Sequence, residues 1–277
     1  MRKSIPSFLL IVLLCLFSKA QSQQNSARSS LSFLLGPSIP VGNYGSKNIQ
    51  NSGAGFANTG GSAAINYSHL VTKKIGFSVS LQGQINPLAI SKLEQSFNDL
   101  LIADFTLWAG TSPGQIPPTP VTGTKYPNWK FEKKSWWTAS LLIGAYGEFP
   151  ISKDEKTSFI ANLAFGPSYV SAPPINGSSV GTIASAYHEQ TGGKSWGFGS
   201  EINIGLRKLV TDKLFLQFTA SHFAAPSVSF KNISASTTIT KGSPGSPDFS
   251  ISKSTFTGTG KQSINSLNVG FCIGFRL

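Results

Sequence analysis

The sequence predicts an all-β protein, an eight-stranded antiparallel transmembrane up-and-down β-barrel with four short periplasmic turns and four long extracellular loops. Three observations support this fold class. Large apolar residues alternate with small or polar ones in eight stretches. The connections between these stretches are long and short in turn, and only 12% of the residues are charged. A soluble β-sandwich, the main alternative, would not sort its loops by length in this way.

The first 20 residues have the features of a secretory signal peptide that is cleaved from the mature chain. A basic start precedes an apolar run over residues 8–17, and Ser18 and Ala20 are the small residues expected before a cleavage site. This run is too short for a transmembrane helix, which needs about 20 residues. We therefore expect residues 21–277 to form one outer-membrane β-barrel domain.

The mature chain is basic and contains a single cysteine. Three of the 23 Lys and Arg residues lie in the leader, so 20 remain against 11 Asp and Glu, a formal charge of +9. A basic balance can reflect binding to nucleic acid, binding to acidic lipid headgroups or solubility alone, and because the lysines are scattered rather than clustered, nucleic acid is the least expected partner. Cys272 is the only cysteine outside the leader, so no intramolecular disulfide can form.

The last strand, residues 267–277, alternates over its full length. Its large apolar residues share one face, which we expect to meet lipid, while Asn268, Cys272 and Arg276 lie on the other. Its 11 residues match the roughly 9 to 11 that a tilted strand needs to cross a bilayer. The same alternation predicts the other strands at residues 31–36, 63–71, 75–86, 136–149, 159–169, 196–207 and 214–221.

The connections between the strands differ in length with their position along the chain. Every odd connection is long and is predicted as a loop, at 38–60, 87–134, 172–194 and 226–261. Every even connection is a tight turn, at 72–74, 152–156 and 211–213. With both ends of the chain in the periplasm, all the long loops lie outside the cell.

One short helix is predicted inside the second long loop. Ser91 and Glu94 have the spacing of a capping box. Ile90, Leu93 and Phe97 would share one apolar face of that helix.

A lumen polar network is predicted, because the side chains of an eight-stranded barrel fill its interior. Its charged members on the inward faces are Glu148, Glu201, Arg207 and Arg276. Charges in a narrow lumen must pair or meet water, since an isolated buried charge is costly. We expect Glu148, Arg207 and Arg276 to form a plug near the periplasmic end, and a gated or narrow pore is the alternative role for these residues.

The sequence predicts neither an enzyme nor a cofactor or metal site. The available histidines are His69, His188 and His222. Ser221 and His222 are adjacent in a strand and point to opposite faces, so they cannot form a nucleophile and base pair. No metal-ligand spacing, phosphate loop or dinucleotide motif is present.

A possible loop binding site combines aromatic and basic residues. In the second long loop these are Trp108, Trp129, Lys130, Lys133 and Lys134, which suit lipopolysaccharide headgroups, a glycan or a protein partner. The alternative for such aromatic residues is an interfacial girdle, which barrels carry in any case. The girdle is the favoured interpretation for Trp136, Trp137 and Trp196.

The opening S-F-L-L-G-P-S-I-P-V-G-N-Y-G over residues 32–45, the tight turns and the final G-F-R-L resemble the small eight-stranded outer-membrane barrels of Bacteroidota, the group that contains PorT-like proteins. This resemblance implies a cell outer-membrane location and insertion by the barrel-assembly machinery. The expected function is a non-enzymatic barrel with a structural or surface-binding role through its extracellular loops. A narrow porin-like channel and an accessory barrel of a secretion or assembly complex are the alternatives, the latter with an envelope protein partner.

Overall fold

The computed structural model describes residues 28–51, 53–99, 128–180, 184–241 and 250–277. The predicted signal peptide, residues 1–20, lies outside these residues. The described chain consists of strands in one antiparallel sheet and two short helices. In order they are β1 (Ser29–Pro40), α1 (Gly42–Gly45), β2 (Gly60–Leu70), β3 (Ile75–Pro87), α2 (Ile90–Asp99), β4 (Lys130–Phe131), β5 (Ser135–Pro150), β6 (Thr157–Ala172), β7 (Ile175–Val180), β8 (Ala184–Gln190), β9 (Gly193–Leu209), β10 (Leu214–Lys241) and β11 (Ser250–Arg276).

Eight of these strands form a closed ring, which confirms the predicted barrel. Their order is β1, β2, β3, β5, β6, β9, β10, β11, and β11 pairs with β1 to close the ring. The closing register places Ser30 opposite Arg276 and Leu35 opposite Phe271. The short turns are three, at 71–74, 151–156 and 210–213, and not the predicted four. Closure joins the first and last strands directly and needs no turn.

The barrel wall is apolar outside and polar inside. Outward residues such as Leu81, Ile143 and Ile202 are more than half exposed. Inward residues are small or polar and buried, among them Ser32, Ser78, Ser80, Ser140 and Thr219. An exposed apolar belt around a closed ring of strands is the architecture that satisfies every backbone group in lipid. The chain is therefore an integral barrel of the outer membrane.

The two longest strands continue far beyond the barrel. β10 runs to Lys241 and β11 begins at Ser250, so the prediction of a loop over 226–261 is wrong. The third long loop, at 172–194, likewise contains β7 and β8. These two strands and β4 add to β10 in the order β10, β8, β7, β4. We call β4, β7, β8 and the paired segments Val228–Lys241 of β10 and Ser250–Gln262 of β11 the extracellular sheet.

A helix and several loop segments pack onto this sheet and the barrel mouth. The predicted helix is present as α2, and its Leu93 and Phe97 are buried as expected. It begins at Ile90, so Ser91 is not its N-cap, and Glu94 instead accepts a hydrogen bond from the backbone N of Phe131 (3.3 Å). No helix among the described residues is long and apolar enough to cross a membrane. We call α1, residues 46–51 and 53–57, α2 and the extracellular sheet the cap.

Candidate functional site

Three charged side chains meet at the periplasmic end of the lumen, and we call them the periplasmic cluster. Glu148 lies near the end of β5, Arg207 near the end of β9 and Arg276 at the end of β11. Arg207 Nη1 donates to Glu148 Oε2 (2.8 Å), and Arg276 Nη2 donates to Glu148 Oε1 (3.1 Å). The carboxylate is thus held by one guanidinium on each oxygen.

Neighbouring side chains complete the hydrogen bonding of the periplasmic cluster. Arg207 Nε donates to Gln217 Oε1 (3.0 Å), and the Tyr146 hydroxyl donates to Glu148 Oε2 (2.9 Å). The Arg207 guanidinium also lies 3.8 Å from the centre of the Phe215 ring, a cation–π contact. Two guanidiniums against one carboxylate leave an excess positive charge, and Arg276, with 27% of its side chain exposed, carries it toward water. The arrangement suits a plug.

Glu201 does not join the periplasmic cluster. It lies on β9 six residues before Arg207, which corresponds to roughly 20 Å along the strand. It is buried among polar neighbours and accepts a hydrogen bond from Asn203 Nδ2 (3.5 Å). The predicted four-residue network is therefore a cluster of three charges and a separate buried carboxyl group. Cys272 is also buried on the lumen side.

The upper lumen is closed by a polar layer and then by the cap. Gln84 Oε1 accepts hydrogen bonds from the hydroxyls of Ser38 (3.2 Å) and Ser266 (2.8 Å). Above this layer Trp136 is fully buried and its Nε1 donates to the backbone O of Gly55 (2.8 Å). The girdle interpretation is thus wrong for Trp136, which shares the inward face of β5 with Thr138 and Ser140. Trp137 and Trp196 are exposed on the outer face.

The structure does not bring the residues of the predicted loop binding site together on one surface. Trp108 lies outside the described residues. Trp129 is fully buried, stacked on Phe131 at 5.6 Å and edge-on to Phe97 at 5.1 Å between ring centroids, so it belongs to the core of the cap and cannot contact a ligand.

The three predicted lysines remain on the surface. Lys130 lies 3.7 Å from Glu94 and Lys134 lies 3.1 Å from Glu132, and Lys133 is exposed. Exposed pairs of this kind contribute little to stability.

A surface that the sequence analysis missed lies on the outer face of the extracellular sheet. One row crosses five strands, with Lys130 opposite Ser178, Ser178 opposite Tyr187, Tyr187 opposite Thr238 and Thr238 opposite Lys253. The alternate residues point into the cap, while Tyr187 is 44% exposed. Residues 214–241 and 250–277 contain no Asp or Glu. They contribute the exposed lysines Lys231, Lys241, Lys253 and Lys261.

His188 lies on the buried face of the same sheet. Its Nδ1 is 3.0 Å from the Thr237 hydroxyl, and its ring is 5.3 Å from that of Phe97. Burial lowers the pKa of His188 to about 4, because the charged imidazolium loses its hydration there. Among the residues that the structure describes, no group of three or more His, Cys, Asp or Glu side chains is arranged to hold a metal ion.

No protein-family model and no curated protein matches the chain. Several solved structures of outer-membrane proteins align with it. Neisserial surface protein A is 7% identical with a TM-score of 0.41, over 92% of this chain and 100% of that one. The attachment invasion locus protein Ail of Yersinia pestis is 10% identical with a TM-score of 0.38, over 91% and 100%. The protease OmpT of Escherichia coli is 8% identical with a TM-score of 0.41, over 93% and 100%. At these identities, the fold of this chain rests on its own ring of eight strands and its apolar belt.

Proposed function

We propose that the protein is a non-enzymatic, non-conducting outer-membrane barrel whose cap binds an acidic saccharide, such as that of lipopolysaccharide, on the outer face of the extracellular sheet. The observation that carries this proposal is the cap itself, in which segments predicted as loops form a sheet and a helix around a buried aromatic core. A rigid, exposed surface of this kind costs little conformational entropy on binding.

The chemistry of the outer face supports an acidic saccharide as the ligand. The exposed Tyr187 ring offers a flat apolar surface for a sugar, while the Ser178 and Thr238 hydroxyls beside it donate and accept hydrogen bonds. Lys253 lies at one end of the row, and β10 and β11 carry three further exposed lysines. The neighbouring row contains two acidic residues, Glu189 opposite Ser236 and Glu132, which accepts a hydrogen bond from Asn176 Nδ2 (3.4 Å).

Binding to purified lipopolysaccharide, with the protein in nanodiscs, tests this role. We expect the double variant Tyr187→Ala, Lys253→Gln to bind at least tenfold more weakly, and added salt to weaken binding to the unaltered protein, because salt screens exposed charges. Lys213→Gln, in a periplasmic turn, is the matched control. Equal affinity of the double variant and the unaltered protein would refute the proposed site.

The closed lumen supports a non-conducting barrel over the porin-like alternative. The periplasmic cluster fills one end and the cap covers the other. We expect no channels in planar bilayers for the unaltered protein or for Arg207→Ala. Channels in both would favour the narrow pore.

The non-enzymatic role is supported by the placement of Ser221 and His222. Ser221 is partly buried on the lumen side and His222 is exposed outside. Unchanged lipid A after overexpression is the expected result, and altered lipid A would contradict this role.

The narrower resemblance to PorT-like barrels supports a second candidate, an accessory barrel in a secretion or assembly complex. It rests on residues 32–45 and on the final strand. Cross-linking in intact envelopes separates the two candidates, since a stoichiometric protein partner favours the accessory role.

A further inference from the structure

A groove interrupts the apolar belt on the outer wall of the barrel, between β3 and β9. This open groove has a volume of about 320 Å³, which lies at the lower end of the roughly 300–1,000 Å³ found for ligand pockets. The strand register explains it, because one row across the wall places Ile75 opposite Gly147, Gly147 opposite Ala161 and Ala161 opposite Ile204. Two minimal side chains thus lie between two isoleucines.

The rows next to this one form the two sides of the groove. On one side Ala145 pairs with Leu163, and Leu163 with Ile202. On the other side Phe149 folds over Gly147, so that a Cβ on Gly147 would lie 2.7 Å from the Phe149 ring. The groove is therefore a defined depression bounded by large aliphatic and aromatic groups.

The periplasmic ends of the same strands carry exposed lysines on both sides of the groove. The backbone O of Lys74 accepts a hydrogen bond from Glu148 N (2.8 Å), which places Lys74 directly beside the β5 wall of the groove. Lys208 is exposed on β9 four residues beyond Ile204, about 13 Å along the strand. The 151–156 turn at this end contains both acidic and basic residues, with Asp154 accepting a hydrogen bond from the backbone N of Lys156.

We propose that this groove is a binding site for an anionic phospholipid of the periplasmic leaflet. One acyl chain lies in the depression over Ala161, beside the Phe149 ring, and the phosphate lies between Lys74 and Lys208. The occupant is a lipid because the groove lies within the belt that the bilayer covers. It is anionic because the flanking side chains at the leaflet surface are cationic. The site is independent of the saccharide surface proposed above, which lies at the opposite end of the molecule.

Native mass spectrometry of the detergent-purified protein, supplied with equal amounts of phosphatidylglycerol and phosphatidylethanolamine, tests the site. We expect one phosphatidylglycerol to be retained. Ala161→Leu fills the groove and is expected to reduce retention at least tenfold. Ala220→Leu is the matched control, because Ala220 pairs with Ile204 in the same row, is exposed on the outer face and lies outside the groove.

A second pair of variants tests the headgroup contacts. Lys74→Gln with Lys208→Gln is expected to abolish the preference for phosphatidylglycerol, whereas Lys213→Gln is expected to keep it. Retention in Ala161→Leu, or equal loss in Ala220→Leu, would overturn the groove as the site. Equal retention of both lipids by the unaltered protein would overturn its anionic specificity. A dimer or a bound protein that Ala161→Leu removes would overturn lipid as the occupant.

Discussion

The two ends of the lumen are closed by opposite means. At the periplasmic end three charged groups, joined by two ion pairs, fill the space, whereas at the extracellular end a cluster of buried apolar side chains does so. The ion pairs depend on geometry, and removing one partner leaves the other as an unpaired buried charge, which lowers the free energy of unfolding. The apolar packing is distributed over many contacts, so it tolerates single losses better. We therefore expect the periplasmic end to be sensitive to any single charge and the cap to be sensitive mainly to its largest side chains.

Removing the shared carboxylate gives the largest expected effect. Glu148→Ala leaves Arg207 and Arg276 without their partner, and we expect it to lower the free energy of unfolding by about 4 kcal/mol, within the range for breaking a buried pair. Urea unfolding in lipid vesicles measures this loss. Asp212→Ala, an exposed acidic residue in a nearby turn, is the control and should change stability by less than about 0.5 kcal/mol. Equal effects of the two variants would show that the cluster contributes nothing.

Truncating the central aromatic residue of the cap gives the next largest effect. Trp129→Ala removes the contacts with Phe97 and Phe131, and we expect a local loss of about 3 kcal/mol. Hydrogen exchange should become faster in β7 and β8 while the barrel strands stay protected. Faster exchange throughout the barrel would mean that the two ends are not energetically separate.

Acid should also weaken the cap selectively. The pKa of His188 is lowered to about 4 in the folded protein, whereas in the unfolded chain the imidazole has its ordinary pKa of about 6.5. Between these two pH values the unfolded chain binds more protons than the folded protein, so the free energy of unfolding falls as the pH drops. Between pH 7 and pH 5 we expect a loss of about 2 kcal/mol, read as faster exchange in β8. His188→Phe should lack this pH dependence, and the same dependence in that variant would exclude His188 as its origin.

An ion pair on the surface of the cap provides the smallest effect. Lys134→Ala breaks the exposed pair with Glu132, and we expect a change of about 0.5 kcal/mol or less. Thermal unfolding of Lys134→Ala and of Glu148→Ala compares the stability lost from an exposed ion pair with that lost from a buried one. A loss similar to that in Glu148→Ala would contradict the distinction between buried and exposed pairs.

The transmembrane part of the fold was predictable because lipid on one side and a packed lumen on the other enforce a strict period of two. The extracellular parts of β10 and β11 were not predictable, because the register between these strands shifts between Ala225 and Val228 and again between Phe230 and Ile233. Each bulge moves the buried face by one residue. After the second shift the pattern returns as Ile233, Ala235 and Thr237, a short signal among many Ser and Thr residues.

The candidate site shows the same division. Glu148, Arg207 and Arg276 could be placed together because each lies next to a periplasmic turn or to the end of the last strand. Glu201 also lies on the inward face of its strand, but the alternation pattern does not show how far along the barrel axis a residue lies. The burial of Trp129 depends on α2 packing against the extracellular sheet, a contact between distant parts of the chain that no local pattern reveals.

The length of the last hairpin sets how far the protein reaches from the cell. β10 has 28 residues and β11 has 27, whereas about 9 to 11 suffice to cross the hydrocarbon of the membrane. The part of β10 from Val228 to Lys241 alone spans roughly 45 Å at about 3.3 Å per residue. A stiff sheet of that height holds its tip well clear of the lipid headgroups, where molecules outside the cell can touch it before they touch the membrane.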